Sequence, residues 1–244
     1  MTDKASDKLI VALDVGNASD ALELFRQLRG FVSHFKIGSQ LFTAAGPQIV
    51  REITGEGGRV FLDLKFHDIP QTVAAACVEA ARLGVWMLNV HALGGALMMR
   101  RAAEALTEAA EREGFKRPRL IGVTVLTSAD AATLAEVGIQ SEPLALVLAL
   151  ARLVESCGLD GIVASPHEVE AVRAAFNRDD FMLVTPGVRP RGSAADDQKR
   201  IMTPAEAVNA GADYLVIGRA ILCAPDPVGA ARAICEEMAR AAHL

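Results

Sequence analysis

Short apolar, β-branched runs recur along this chain, and each is followed by a longer stretch in which apolar residues return at helical spacing among Ala, Leu, Glu and Arg. The runs fall at 8–15, 34–38, 59–65, 87–91, 120–126, 161–164, 182–188 and 214–217. Eight strands alternating with helices, in 244 residues, predict a (β/α)8 TIM barrel, which takes about 250 residues. An open doubly wound sheet usually needs fewer strands. No repeat, linker or low-complexity tract divides the chain, so 1–244 reads as a single domain.

Helix punctuation agrees with this spacing. Asn17-Ala18-Ser19-Asp20 opens a segment with Leu22, Phe25 and Leu28 in register, and Ser141-Glu142-Pro143 places a cap and an N-terminal proline before Leu144. The stretch 144–154 is apolar on most sides and predicts a helix pressed against the barrel; it is short for a membrane span and contains Arg152. One segment breaks the alternation. Residues 186–203, P-G-V-R-P-R-G-S-A-A-D-D-Q-K-R-I-M-T, are too polar and too rich in Gly, Pro and Asp to pack as a helix. Loops beyond about 12 to 15 residues are uncommon in compact domains and are usually lids, binding loops or disorder.

Composition narrows the function classes. The chain is 51% hydrophobic and 23% charged, with a net charge of -5 and a pI near 5.6, so it lacks the basic footprint of a nucleic-acid binder. Its start, M-T-D-K-A-S-D-K, lacks a signal-peptide layout, and its longest apolar run, 144–151, is far short of the about 20 residues that cross a bilayer. A cytoplasmic protein without membrane contact is expected. Cys77, Cys157, Cys223 and Cys235 are widely separated with no zinc-ligand spacing, and read as reduced, mostly packed thiols.

The candidate chemistry lies at the strand ends, because a barrel of this kind carries its active site at the C-terminal face. In the third strand region, V-F-L-D-L-K-F-H-D-I-P-Q-T, Asp63 and Lys65 are two apart and should share a face, with Asp68 in the turn beyond. Burying ions costs several kcal/mol each unless they are paired, so stability alone would favour Leu or Val there. Asp14 ends strand one, Lys36 sits late in strand two, His91 ends strand four and Thr127-Ser128 follow strand five. Two acids and two lysines from the first three strands should meet in one mouth as a preorganised charge network. Arg189 and Arg191 follow strand seven, and Gly218-Arg219 follow strand eight, where these barrels often hold a phosphate on backbone N–H groups and an arginine fork.

The histidines carry less. His91 has no obvious partner and reads as packed at a strand end; His67 should hold its turn, and His34, His167 and His243 look like surface or structural residues. No cluster has metal-ligand spacing, and there is no G-x-S-x-G, no G-x-x-x-x-G-K-[ST] and no G-x-G-x-x-G.

With these residues assembled, the chain resembles the bacterial, class I orotidine 5'-phosphate decarboxylase family almost end to end. The marks are A-L-D-V near Asp14, F-K-I-G near Lys36, F-L-D-L-K-F-H-D-I-P at 61–70, N-V-H-A at 89–92, V-T-V-L-T-S at 123–128, V-T-P-G-V-R-P at 184–190, D-Q-K-R-I-M-T-P at 197–204 and Y-L-V-I-G-R at 214–219. The resemblance implies a barrel of the ribulose-phosphate-binding type and a cofactor-free, metal-free conversion of orotidine monophosphate to uridine monophosphate and carbon dioxide. It also implies a catalytic network of Lys36, Asp63, Lys65 and Asp68, with Lys65 as proton donor. Asp68 would reach into the neighbouring subunit's site in a homodimer, and Ile69 and Thr72 would contact substrate. Asp14 and Lys36 would hold the ribose hydroxyls, Ser128 the pyrimidine edge, and Thr127 and Pro186 would line the site. Arg189, Gln198, Gly218 and Arg219 would take the phosphate. Gln71 and Leu93 depart from common residues of the family without touching these roles. Magnesium-dependent sugar-phosphate lyases share D-x-K-x-x-D but lack the P-G-V-R-P loop with Gln198 and the Thr-Ser pair. A nucleotide sensor is a third reading, though a pure binder gains nothing from so costly a charge cluster.

Overall fold

The computed structural model describes residues 5–176, 180–190 and 202–241. Eight parallel strands close into a barrel in sequence order, each pairing with its neighbours and the first with the last. The elements run β1 (Leu9–Ala12), α1 (Ala18–Leu28), β2 (His34–Gly38), α2 (Ser39–Ala45), α3 (Gln48–Gly55), β3 (Arg59–Phe66), α4 (Pro70–Arg82), β4 (Met87–His91), α5 (Gly95–Glu113) and β5 (Arg119–Val123). They continue with α6 (Ala131–Glu136), α7 (Pro143–Ser156), β6 (Gly161–Val163), α8 (Val169–Ala175), β7 (Met182–Pro186), α9 (Pro204–Asn209), β8 (Tyr214–Ile217), α10 (Arg219–Leu222) and α11 (Pro227–Ala241).

Alternation along the strands builds two cores. Ile10, Ala12, Phe61, Met87, Ile121, Val184 and Val216 point inward and fill the barrel, while Leu9, Val11, Phe35, Ile37, Leu88 and Leu215 point outward against the helices. At the N-terminal end the barrel is plugged by His34, Trp86 and Tyr214, with ring centroids 4.3 to 5.8 Å apart. His34 is buried, the structural of its two readings, because it occupies an inward position of β2.

Four strands stop short of the apolar runs that predicted them: β1 ends at Ala12, β5 at Val123, β6 at Val163 and β7 at Pro186. The chain leaves the ladder there to become the loops of the barrel mouth. Asn17 caps α1 by accepting from the Asp20 N–H, as its position predicted. Pro143 opens α7, but the capping position is Glu142, not Ser141, and no side chain caps that end. Helix α7 buries Val147, Leu150, Ala151 and Val154 against the barrel and leaves Leu144 exposed. No helix among the described residues is long and apolar enough to cross a membrane. Cys77, Cys157 and Cys235 are buried and Cys223 is exposed, all as free thiols.

Candidate active site

β3 carries the feature that organises the mouth. Leu62 pairs with Leu88 and Phe66 with Val90, so residues 63, 64 and 65 stand opposite Asn89 alone. This is a bulge, not the regular pleat that the spacing of Asp63 and Lys65 suggested, and it puts Lys65 at φ 52, the only positive value for a non-glycine residue among the described residues. The Lys65 N–H, out of the ladder, donates to Asn89 Oδ1 at 2.8 Å, and Asn89 Nδ2 donates to Asp63 Oδ1 at 2.7 Å.

Around that bulge the charges alternate. Lys65 Nζ lies 2.7 Å from Asp63 Oδ1, Lys36 Nζ 3.5 Å from Asp63 Oδ2, and Lys36 Nζ 2.9 Å from Asp14 Oδ1. Lys36 is buried and Asp63 nearly so, whereas Lys65 and Asp14 open progressively to the mouth. Burial of this kind strengthens each attraction and makes an unpaired member expensive, which ties the four side chains into a unit. Gly38, at the end of β2, leaves the room: a Cβ there would lie 2.8 Å from Lys36 Nζ and 3.5 Å from Asp14 Oδ1.

Two adjoining cavities open from this network. One, of about 180 Å³, is mainly apolar and runs from Lys36, Asp63 and Lys65 past Phe61, Val123, Val163, Val184 and Val216 to Thr127 and Pro186. The other, of about 250 Å³, runs from Asp14 and Lys36 past Thr127 and Pro186 to Arg189, Gly218 and Arg219. A mainly apolar cavity thus adjoins an arginine-flanked basin, with Lys36, Thr127, Pro186 and Val216 lining both. The long loop that follows β7 is tied at its base, where Val188 bridges to Met202 and the Arg189 N–H donates to the Met202 carbonyl at 3.1 Å.

Asp14, Lys36, Asp63, Lys65, Thr127, Pro186, Arg189, Gly218 and Arg219 therefore come together as predicted. Ser128 is exposed beside Thr127 and lines neither cavity. Asp68, Ile69 and Thr72 are exposed at the entry to α4 and line neither cavity; Asp68 accepts from the Ile69 N–H at 2.6 Å and forms no ion pair among the described residues. Gln198 and Arg191 lie outside the described residues. Sequence reasoning gave no role to Asn89, although a fully buried Asn between Leu88 and Val90 on a strand was a signal to follow. It also left His91 without a partner, whereas its ring lies 5.5 Å from that of His67.

Comparison with known proteins places this geometry. Residues 7–234 match the family described as Orotidine 5'-phosphate decarboxylase / HUMPS. The chain belongs to that family. It is an enzyme of its carboxy-lyase type, and the relatives agree over nearly its whole length. It is 56% identical over 238 residues to "Orotidine 5'-phosphate decarboxylase" of Syntrophotalea carbinolica, covering 98% of this chain and 97% of that protein. It is 54% identical to the protein of that name from Moorella thermoacetica, covering 96% and 93%. The crystal structure of orotidine 5'-phosphate decarboxylase from Lactobacillus acidophilus superposes with a TM-score of 0.83 at 36% identity, over 95% of this chain and 99% of that one.

Proposed function

We propose that this chain, as a single barrel domain over 1–244, decarboxylates orotidine 5'-monophosphate to uridine 5'-monophosphate and carbon dioxide in pyrimidine biosynthesis. The reaction needs neither metal nor organic cofactor. The observation that carries the reading is the alternating Asp14–Lys36–Asp63–Lys65 chain at the edge of a mainly apolar cavity.

Loss of carbon dioxide leaves a carbanion on a pyrimidine ring with no adjacent group able to delocalise it well. The Lys65 ammonium, aimed by Asp63 and by the bulge, stabilises that charge as it develops and then donates its proton to the ring carbon. Asp14 and Lys36 hold the ribose hydroxyls between the two cavities, and Ser128 and Gln198 read the base. Arg189, Arg219 and Gly218 receive the phosphate. Those contacts are remote from the breaking bond, so their binding energy raises turnover only by completing the site, with the loop after β7 as the closing element.

The active unit in this reading is a cytoplasmic homodimer. Ile69, Leu93, Leu97 and Leu126 are large apolar side chains left exposed on the successive loops and helix starts after β3, β4 and β5. Such a cluster on one side of the mouth suits a self-complementary interface. A second copy docked there would bring its own Asp68, Ile69 and Thr72 toward this mouth, which accounts for their exposure here.

The test is the ultraviolet absorbance change on mixing the purified protein with orotidine monophosphate in excess EDTA. Rapid loss of the substrate spectrum is expected. No change, followed by magnesium-dependent activity on a sugar phosphate, would overturn the reading.

A further inference from the structure

The loop after β7 returns to the barrel through T-P-A-E, residues 203–206, which close as a capping box at the start of α9 with Pro204 in the first turn. The Glu206 N–H donates to Thr203 Oγ1 at 3.2 Å, and Glu206 Oε2 accepts from the Thr203 N–H at 2.8 Å. The peptide unit between Met202 and Thr203 is thereby held on both sides: its N–H is given to the Glu206 carboxylate, and its carbonyl accepts the Arg189 N–H at 3.1 Å. Around Arg189 the backbone is already confined, since Val188 is buried and bridges to Met202, and Pro190 favours an extended conformation for the residue before it. Arg189 lines the basin that it shares with Gly218 and Arg219.

We propose that Glu206 is a positioning residue for the phosphate-binding arginine: through the single peptide 202–203 its carboxylate sets the backbone of Arg189, and with it the aim of that guanidinium into the basin. This rests on the decarboxylase reading of the site, in which the basin takes the phosphate. Glu206 is exposed and lines neither mouth cavity, so it acts through Met202 and Arg189 and not on substrate. A carboxylate is a charge-assisted acceptor for the Thr203 N–H, and it polarises the peptide so that the carbonyl on the far side becomes a better acceptor for Arg189. The box is braced in turn, because the Ala205 N–H reaches Glu237 of α11 at 3.4 Å and the Ala207 N–H closes the first helical turn on the Thr203 carbonyl at 3.0 Å. Arg219, on the other flank of the basin, follows β8 directly as the first residue of α10 and takes its place from the strand. Arg189 stands three residues beyond β7, and the capping box supplies the support that the strand gives Arg219.

The test compares uridine monophosphate with uridine, which lacks the phosphate, as inhibitors of orotidine monophosphate turnover by the full-length wild type, Glu206→Ala, Glu206→Gln and Thr203→Val. Glu206→Ala should weaken uridine monophosphate about tenfold, as for one lost hydrogen bond to a charged group, and leave uridine unchanged. Glu206→Gln keeps an oxygen for the Thr203 N–H and should hold uridine monophosphate within about twofold of wild type. Thr203→Val removes the hydroxyl half of the box but leaves the grip on the 202–203 peptide, so it should lower the Tm without changing either inhibition constant. Equal weakening of both inhibitors in Glu206→Ala, or of neither, overturns the proposal. So does a Glu206→Gln as weak as Glu206→Ala, or a Thr203→Val that loses uridine monophosphate to the same degree, since the box would then act only by capping α9. Failure of the underlying reading is distinct: wild type without turnover, or wild type that binds uridine monophosphate no more tightly than uridine.

Discussion

The side-chain amide of Asn89 joins the two ends of the Lys65–Asp63 unit, accepting from the Lys65 backbone N–H at 2.8 Å and donating to the Asp63 carboxylate at 2.7 Å. One fully buried residue thus fixes both the backbone of the proposed proton donor and the carboxylate that aims it. Asn89→Ala should lower kcat by about 10²-fold, the usual result of displacing a catalytic group by an ångström. It should cost about 1–3 kcal/mol in urea unfolding, because buried partners lose their hydrogen bonds. Unchanged kcat in a folded variant would remove Asn89 from the mechanism.

Lys65 combines the side chain proposed as proton donor with a left-handed backbone that its residue type disfavours. Lys65→Ala should lose at least about 10³-fold in turnover while holding uridine monophosphate within a few-fold of wild type, because charge stabilisation and proton donation go together. Lys65→Gly should be as inactive but about 1 kcal/mol more stable than Lys65→Ala, since glycine accepts φ 52 without strain. Paired rate, titration and denaturation measurements check both halves.

Gly38 is required by what lies beside it and not by its own backbone, whose φ is -93. Gly38→Ala would put a methyl 2.8 Å from Lys36 Nζ, and because Lys36 is buried its ammonium cannot retreat without leaving Asp14 or Asp63. The expected result is a fall of about tenfold or more in kcat/KM, as for a misplaced catalytic group. The Tm should stay close to wild type, measured by calorimetry beside steady-state rates.

The barrel and the strand-end harvest were legible because they depend on periodicity and on charges placed where burial is costly: Asp14, Lys36, Asp63 and Lys65 all stood out as ions in or beside apolar runs. The bulge was not legible. Residues 59–65 read as one plain strand, since nothing in V-F-L-D-L-K-F marks three residues facing a single Asn89 on a strand 24 positions away. Gly38 was hidden for a related reason: its role depends on Lys36 Nζ swinging across to Asp14. For His34 the sequence left surface and structural roles open, because an isolated histidine at a strand start carries no hint of the Trp86 and Tyr214 rings that enclose it.

The exposed apolar side chains beside the mouth should be covered in solution. Leu97, 67% exposed on the first turn of α5, lines neither mouth cavity. Leu97→Glu should shift sedimentation toward the monomer and lower kcat, because Asp68 would no longer reach a neighbouring site, while the far-ultraviolet circular dichroism stays that of a folded barrel. A wild-type chain that sediments as a monomer with full activity would remove the shared-site reading.

His34 makes the lower end of the barrel sensitive to acid. Burial, aided by the nearby Arg59 guanidinium, pushes its pKa down from 6.5 to about 4. The folded chain keeps the ring neutral where the unfolded chain would protonate it, so the unfolded state binds more protons between those two values and stability falls as pH drops from 6.5 toward 4. Between about pH 7 and about pH 5 this residue should contribute a loss of ~2 kcal/mol in unfolding free energy. His34→Gln should be less stable near neutrality, since it loses the contacts with Trp86 and Tyr214, yet show a shallower decline with acid. Urea unfolding across that range reads the slope directly, and an equal slope in both proteins would mean that other groups dominate the acid response.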